Sequence, residues 1–256
     1  RVERHGIGMV GPNCIGVINT EPGVRLNATF AAALPERGNV GFISQSGALG
    51  EAILADAADN GIGVAMFVSM GNKADISGND LLQYWEDNDD VAAILMYLES
   101  FGNPRRFTQL ARRITRKKPI LTVKAGRTAA GARAASSHTG SIVGLDVATE
   151  SLLEQCGVLR VGSLEEMFVQ AAALANQPVP DRGRVAIITN AGGPAMLCTH
   201  ALIGRAVEQS AGKGPLLAEN GIRMIDGGND VALRGEVLGE PGHEGSGAWK
   251  SMGNHH

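Results

Sequence analysis

From Gly38 to Ala175 short apolar runs alternate with stretches in which apolar residues recur at helical spacing. NVGFIS (39–44), GVAMFVS (63–69), VAAILMYLE (91–99), PILTVKAG (119–126) and VLRV (158–161) predict five strands. The segments 47–60, 78–88, 104–115, 146–157 and 163–175 predict the helices between them. Ser163 stands where an N-cap is needed, with Glu166 three residues on, as in a capping box. Most of the strand runs are apolar at consecutive positions, which is the pattern of strands covered on both faces.

Strands that alternate with helices imply a parallel sheet with helices on its two sides. Five such units fit an α/β fold of the flavodoxin-like, doubly wound kind, with strand order 2-1-3-4-5. A linker, NQPVPDRGR (176–184), ends this region, and a second start follows it. RGNVGFISQSGALGEAIL (37–54) lines up with RGRVAIITNAGGPAMLCT (182–199) at an offset of 145. Both read as Arg-Gly, a strand, a small polar turn with glycine, and a helix, so the second is expected to open a similar domain.

The two ends read differently. Arg1 is not a methionine, and RVERHGIGMVGPNC reads as the last piece of a preceding domain. After about Gly204 the chain turns glycine-rich and the alternation fades, which suggests a truncation, a frameshift or a foreign, disordered tail. The expected division is therefore 1–34, the end of another domain; 35–176, the flavodoxin-like domain; 182–204, a first βα unit; and 205–256, an atypical tail.

Composition narrows the function classes. The chain has 256 residues, 44% of them hydrophobic, which suits one or two domains with a real core. With 23 basic and 26 acidic side chains the net charge is -3, which gives no electrostatic case for nucleic acid. No apolar run reaches the length of about 18 residues that a membrane span requires. Three cysteines, Cys14, Cys156 and Cys198, are far apart and odd in number, so they make neither a disulfide framework nor a metal knuckle. A reducing, cytoplasmic setting follows, and no metal site is expected from the His, Cys, Asp or Glu spacing.

In a doubly wound sheet, ligands bind beyond the carboxyl ends of the strands. Strand 1 is followed by Ser44-Gln45-Ser46-Gly47, strand 3 ends at Glu99, and strand 4 leads into GARAASSHTGSIVG (131–144), which holds His138. Strands 1, 3 and 4 are neighbours in the expected order, so these features are expected to meet on one edge. Ser44 to Gly47 reads either as an N-cap with a tight turn or as a phosphate cradle at a helix N-terminus. Thr189-Asn190-Ala191-Gly192-Gly193 is a second stretch of the same kind. His138, among small residues, is either an exposed loop residue or a reachable nucleophile able to take a phosphoryl group. Glu99 is either a strand-end charge in water or the carboxylate that fixes the imidazole tautomer. Asn72, Lys73 and Asp75 lie on the loop after strand 2, beside the same edge, with no role assigned.

Several stretches together resemble the NDP-forming acyl-CoA synthetases, the group of ADP-forming acetyl-CoA synthetase and succinyl-CoA ligase. They are GPNCIG (11–16), GFISQSGALG (41–50), SMGNKADISGNDLLQYWEDN (69–88), YLE (97–99), VKAGRT (123–128), SSHTGS (136–141) and TNAGGP (189–194). The resemblance implies that phosphate attacks an acyl-CoA to give an acyl phosphate and free CoA. The acyl phosphate then phosphorylates His138, and the phosphohistidine passes the group to ADP or GDP. It implies that Glu99 contacts this histidine. It also implies that helix starts at Ser46-Gly47 and Gly192-Gly193, with Ser44, Gln45, Asn190 and Ala191, hold the phosphoryl group. Pro12, Asn13 and Cys14 match the turn near the CoA thiol. ADP or ATP with Mg2+ would be held by an ATP-grasp domain or subunit outside this chain. CoA, phosphate and a small carboxylic acid would be the other partners, in an oligomer, with no nucleic acid and no membrane. On its own the chain is expected to be inactive as a synthetase. A second reading is a regulatory module, since similar domains are fused to GNAT acetyltransferases as sensors; His138 favours catalysis, because a sensor needs no nucleophile.

Overall fold

A computed structural model of the chain describes residues 3–126, 146–177, 185–210 and 222–226. The chain forms two units, residues 1–179 and 180–256. The first is built on a seven-stranded sheet with β1 (Gly16–Asn19), β2 (Leu26–Thr29), β3 (Val40–Ser44), β4 (Val64–Ser69), β5 (Ala93–Leu98), β6 (Ile120–Lys124) and β7 (Leu159–Arg160). The order is β2-β1-β4-β3-β5-β6-β7. Strands β4-β3-β5-β6-β7 are parallel and give the expected 2-1-3-4-5 pattern. Helices α1 (Gly47–Asp59), α2 (Gly78–Trp85), α3 (Pro104–Ile114), α4 (Asp146–Gln155) and α5 (Leu164–Asn176) connect and follow them.

Burial explains why β3 to β6 read as unbroken apolar runs. Every residue of β3 and β4 is buried, because helices cover both faces of the sheet. On one face Trp85 of α2, Phe107 of α3 and Leu153 of α4 pack over Ile43, Met66 and Ile94. On the other, Ile53 and Leu54 of α1 and Met167 and Phe168 of α5 pack over Phe42, Phe67, Leu95 and Leu121. Adjacent residues Phe42 and Ile43 thus serve opposite cores, as the two-residue period of a strand demands. The Ser163 hydroxyl accepts from Glu166 N at 3.1 Å, while the Glu166 carboxylate reaches back to Gly162 N at 2.7 Å.

The N-terminal stretch departs from expectation. Residues 16–29 form a hairpin whose first strand pairs antiparallel with β4, Val17 opposite Val68, so they extend this sheet. Read as sequence they looked like the last piece of another domain. The strands GVIN and LNAT have four residues each, too short to show alternation, and β2 is largely exposed.

The second unit holds β8 (Val185–Thr189), α6 (Gly192–Ser210) and β9 (Ile222–Asp226), with β9 parallel to β8. This corrects the expectation that strand–helix alternation ends near Gly204. The helix runs through Gly204, a cost of about 1 kcal/mol that a long helix tolerates, and IRMID forms a strand inside a glycine-rich stretch whose composition hides it. The loop that carries His138 and the final thirty residues lie outside the described residues.

Candidate functional site

The site is built by strand register. Ser44, the last residue of β3, stands level with Ser69 on one side and Tyr97 on the other, and Leu98 stands level with Lys124. The chain leaving β3 therefore emerges beside the chain leaving β5, and Gln45 meets Glu99 although 54 residues separate them. Gln45 N donates to Tyr97 O at 3.1 Å. Its side-chain Oε1 accepts from both Glu99 N and Ser100 N at 2.9 Å, and its Nε2 donates to Ser100 O at 2.6 Å. One buried amide side chain (7% exposed) thus clasps the turn that carries Glu99.

The neighbouring hydroxyls are also engaged. Ser44 is fully buried and its Oγ donates to Ser46 O at 2.8 Å. Ser46 Oγ accepts from Leu49 N at 3.3 Å, the N-cap bond of α1. What the start of α1 can offer an anion is therefore backbone: the N–H groups of Gly47 and Ala48, which have no helical partner, and the positive end of the helix dipole. Ala48 is exposed and Gly47 half-buried, so this end of the helix opens to solvent.

The turn at Pro12, Asn13 and Cys14 closes over the same helix start. A Cβ on Gly47 would stand 3.7 Å from Asn13 O. Cys14 is half-buried and unpaired, with its thiol 3.8 Å from Val10 O. Asn72 N, Ala74 N and Ile76 N donate to Pro12 O, Gly11 O and Met9 O at 2.9, 3.0 and 3.1 Å, and Met9 N donates to the Asp75 carboxylate at 2.8 Å. The segments 9–12 and 72–76 are laced together by these bonds. Gly71 makes the approach feasible: its φ is +52°, and a Cβ there would lie 2.1 Å from Pro12 O.

Charge is concentrated on this edge. Lys73 Nζ donates to Ser100 Oγ at 2.6 Å and to Ser100 O at 3.3 Å. Burial pulls its pKa down, and the Glu99 carboxylate opposes that shift. Lys124, only 8% exposed, donates to Ala125 O at 2.8 Å. Its pKa is lowered by burial and by Arg160, with Asp146 and Glu99 acting the other way. Burial and Glu99 together raise the pKa of Tyr97. A cavity of about 10 Å³, the size of one water, lies beneath, lined by Gln45, Lys73, Asn79, Ser100 and Phe101 among others.

Asn190, Ala191, Gly192 and Gly193 lie in the second unit, at the start of α6. Thr189 Oγ1 donates to Ala191 O at 3.1 Å, repeating the bond from Ser44 to Ser46 O at the equivalent position. All four residues are exposed, and a Cβ on either glycine would meet nothing within 4 Å.

Residues 37–174 match the family described as succinyl-CoA ligase like flavodoxin domain. The chain belongs to this family. Among curated relatives, it is 41% identical over 201 residues to the 4-hydroxybutyrate–CoA ligase [ADP-forming] of Nitrosopumilus maritimus, covering 78% of this chain and 29% of that one. It is 44% identical over 194 residues to the acetate–CoA ligase [ADP-forming] II subunit alpha of Pyrococcus furiosus, covering 76% of this chain and 42% of the relative. A solved structure of the dinucleotide forming acetyl-coenzyme A synthetase 1 of Ca. Korarchaeum cryptofilum, in complex with phosphate and ADP, matches with a TM-score of 0.76. That match is 37% identical and covers 85% of this chain and 49% of the other. The chain thus spans less than half the length of these relatives.

Within the first unit, the described residues bring together Ser44 to Gly47, Glu99 and the turn at Pro12 to Cys14. His138 lies outside them, and Asn190 to Gly193 belong to the other unit. Sequence reasoning left two lysines of this edge without a role. Lys124 was hidden at the end of an apolar run. Lys73 had one overlooked signal: a long charged residue directly after Gly-Asn, where a turn is expected.

Proposed function

We propose that the chain is the ligase-core part of an ADP-forming acyl-CoA ligase, interconverting acyl-CoA, phosphate and ADP with a carboxylic acid, CoA and ATP through an acyl phosphate and a phosphohistidine. The observation that carries this reading is the Gln45 clasp, which sets the Glu99 turn beside the open N-terminus of α1. A carboxylate next to a helix start that can hold an anion suits a phosphorylated imidazole: the helix end stabilises the phosphoryl oxygens, and the carboxylate holds the ring proton.

The steps balance as follows. A phosphate oxygen attacks the thioester carbonyl, the C–S bond breaks and CoA leaves as a thiol. A nitrogen of His138 then attacks the phosphorus of the acyl phosphate, the P–O bond breaks and the carboxylate departs. Glu99 stabilises the cationic ring that results. Finally a β-phosphate oxygen of ADP attacks the phosphorus and the P–N bond breaks, which returns the histidine. Gly47 and Ala48 N–H supply donors to the phosphoryl group. The turn at Pro12, Asn13 and Cys14 lies where the CoA thiol would approach.

ADP, ATP and Mg2+ are assigned to an ATP-grasp domain or subunit that works with this chain. Among the described residues no three His, Cys, Asp or Glu side chains gather to hold an ion. The acyl substrate is a small carboxylic acid, because relatives are named for both acetate and 4-hydroxybutyrate. The three free cysteines accord with a reducing, cytoplasmic setting, and no described helix is long and apolar enough to cross a membrane. No observation favours the regulatory reading.

The test supplies the full-length ligase, with its nucleotide-binding part, with γ-labelled ATP and Mg2+ in the absence of CoA. An acid-labile, base-stable label is expected, and it is lost in His138→Ala. An unlabelled wild-type protein defeats the reading.

A further inference from the structure

Lys73 occupies a backbone conformation that lysine does not favour. Its φ is +53°, in the left-handed region, in a turn closed by its N–H on Met70 O at 3.1 Å. A glycine would take that conformation without steric cost, whereas a side chain with a Cβ is strained there. The turn alone therefore does not call for lysine. What the lysine adds is at the other end of its side chain, where the ammonium binds Ser100 Oγ at 2.6 Å and Ser100 O at 3.3 Å.

Ser100 directly follows Glu99, and its polar atoms are shared between two side chains. Gln45 takes its N–H and donates to its carbonyl, while Lys73 takes its hydroxyl and shares the carbonyl. The two hold the turn from opposite chain segments, the exit of β3 and the loop after β4. That loop is itself laced to residues 9–12 through Asn72, Ala74 and Ile76. Burial of the ammonium costs free energy, visible in its lowered pKa, so a plain structural turn would be better served by an apolar residue.

We infer that Lys73 is a positioning residue for Glu99: by binding the hydroxyl and carbonyl of Ser100 it fixes the direction in which the Glu99 carboxylate leaves the sheet edge. The inference rests on the role proposed above for Glu99. Lys73 directs its hydrogen bonds to Ser100 and not to the Glu99 carboxylate. It acts through Ser100, and a carboxylate that swings free loses the geometry on which phosphoryl transfer depends.

The test compares Lys73→Met, Lys73→Arg and Ser100→Ala in the full-length ligase, reading the rate of label uptake from γ-labelled ATP and the urea midpoint. Lys73→Met is expected to slow labelling by about 10- to 100-fold, the cost of a small misplacement, with the KM for ATP and the urea midpoint unchanged. Lys73→Arg recovers most of the rate, because the guanidinium can still reach the Ser100 oxygens. Ser100→Ala slows labelling several-fold and adds little to Lys73→Met, since the contact it removes, from Lys73 Nζ to Ser100 Oγ, is already lost in Lys73→Met. Lys73→Met labelling at the wild-type rate overturns the inference, and so does a Lys73→Arg variant as slow as Lys73→Met. A loss of rate matched by a loss of folded protein in all three variants also overturns it, by reducing Lys73 to a structural role. If the wild-type ligase takes no label, the ligase reading itself fails and the inference falls with it. If the wild type labels and Lys73→Met does too, only the inference fails.

Discussion

The two strand–turn–helix openings, at Ser44 and at Thr189, share a sequence pattern and a local bond but differ in what surrounds them. In each, a hydroxyl at the end of the strand donates to the carbonyl two residues on. Ile43 is completely buried between sheet and helices, while Ile188 at the matching position is 75% exposed. Gln45 is buried and holds the Glu99 turn, while its counterpart Asn190 is exposed. Ser46 caps α1, and Ala191 at the same place has no side-chain oxygen to cap α6 with. A repeated sequence thus reproduces a turn, but the first site also has a buried amide side chain, Gln45, that binds the backbone leaving the neighbouring strand.

The largest test of that contrast lies in the core. Ile43→Ala is expected to destabilise the first unit by about 4 kcal/mol, as removal of buried methyl groups does. Ile188→Ala should change stability by less than about 0.5 kcal/mol, as at an exposed position. Urea unfolding reads both, and equal losses would dissolve the difference in surroundings.

A smaller effect follows at the next position but one along each turn. Gln45→Leu leaves the N–H groups of Glu99 and Ser100 without their acceptor, which is expected to cost about 2 kcal/mol. It should also release the Glu99 turn and slow histidine phosphorylation in the full-length ligase. Asn190→Leu should leave stability nearly unchanged. The comparison is broken if Gln45→Leu folds and labels like wild type.

The smallest effect is at the helix caps. Ser46→Ala removes the bond to Leu49 N and should cost about 1 kcal/mol. The reverse change, Ala191→Ser, gives α6 the cap that α1 has and should add about 0.5 kcal/mol. Thermal unfolding of the two variants is the check, and a loss in Ala191→Ser would show that the two turns differ in backbone as well as in side chain.

Much of the fold was legible because its signals are local. Five apolar runs and five helical patterns place the parallel core of the first unit to within a few residues, since a strand covered on both faces must be apolar throughout. The hairpin at residues 16–29 was not legible. Its four-residue strands carry no period, and their pairing with β4 depends on residues some 50 positions away. The continuation of the second unit past Gly204 was hidden by composition. Of the candidate site, the convergence of Ser44 to Gly47 with Glu99 followed from strand order alone. The use of each side chain did not follow: Ser44 and Gln45 read as donors for a ligand, yet both are spent on the protein's own carbonyls and amides, and what faces solvent is backbone.

The amino-acid pattern was enough for the α/β class, the order of the five parallel strands, the family and the edge on which Ser44 to Gly47 meet Glu99. These depend on periodicity and on motifs in order along the chain, which are properties of near neighbours. Long-range packing alone set Gln45 and Lys73 on the Glu99–Ser100 turn, laced Pro12 to the loop after β4 and made the two helix starts differ in burial. Such contacts join segments that hydrogen-bond across tens of residues, and their partners are chosen by register and by the crossing of loops, which no local pattern records.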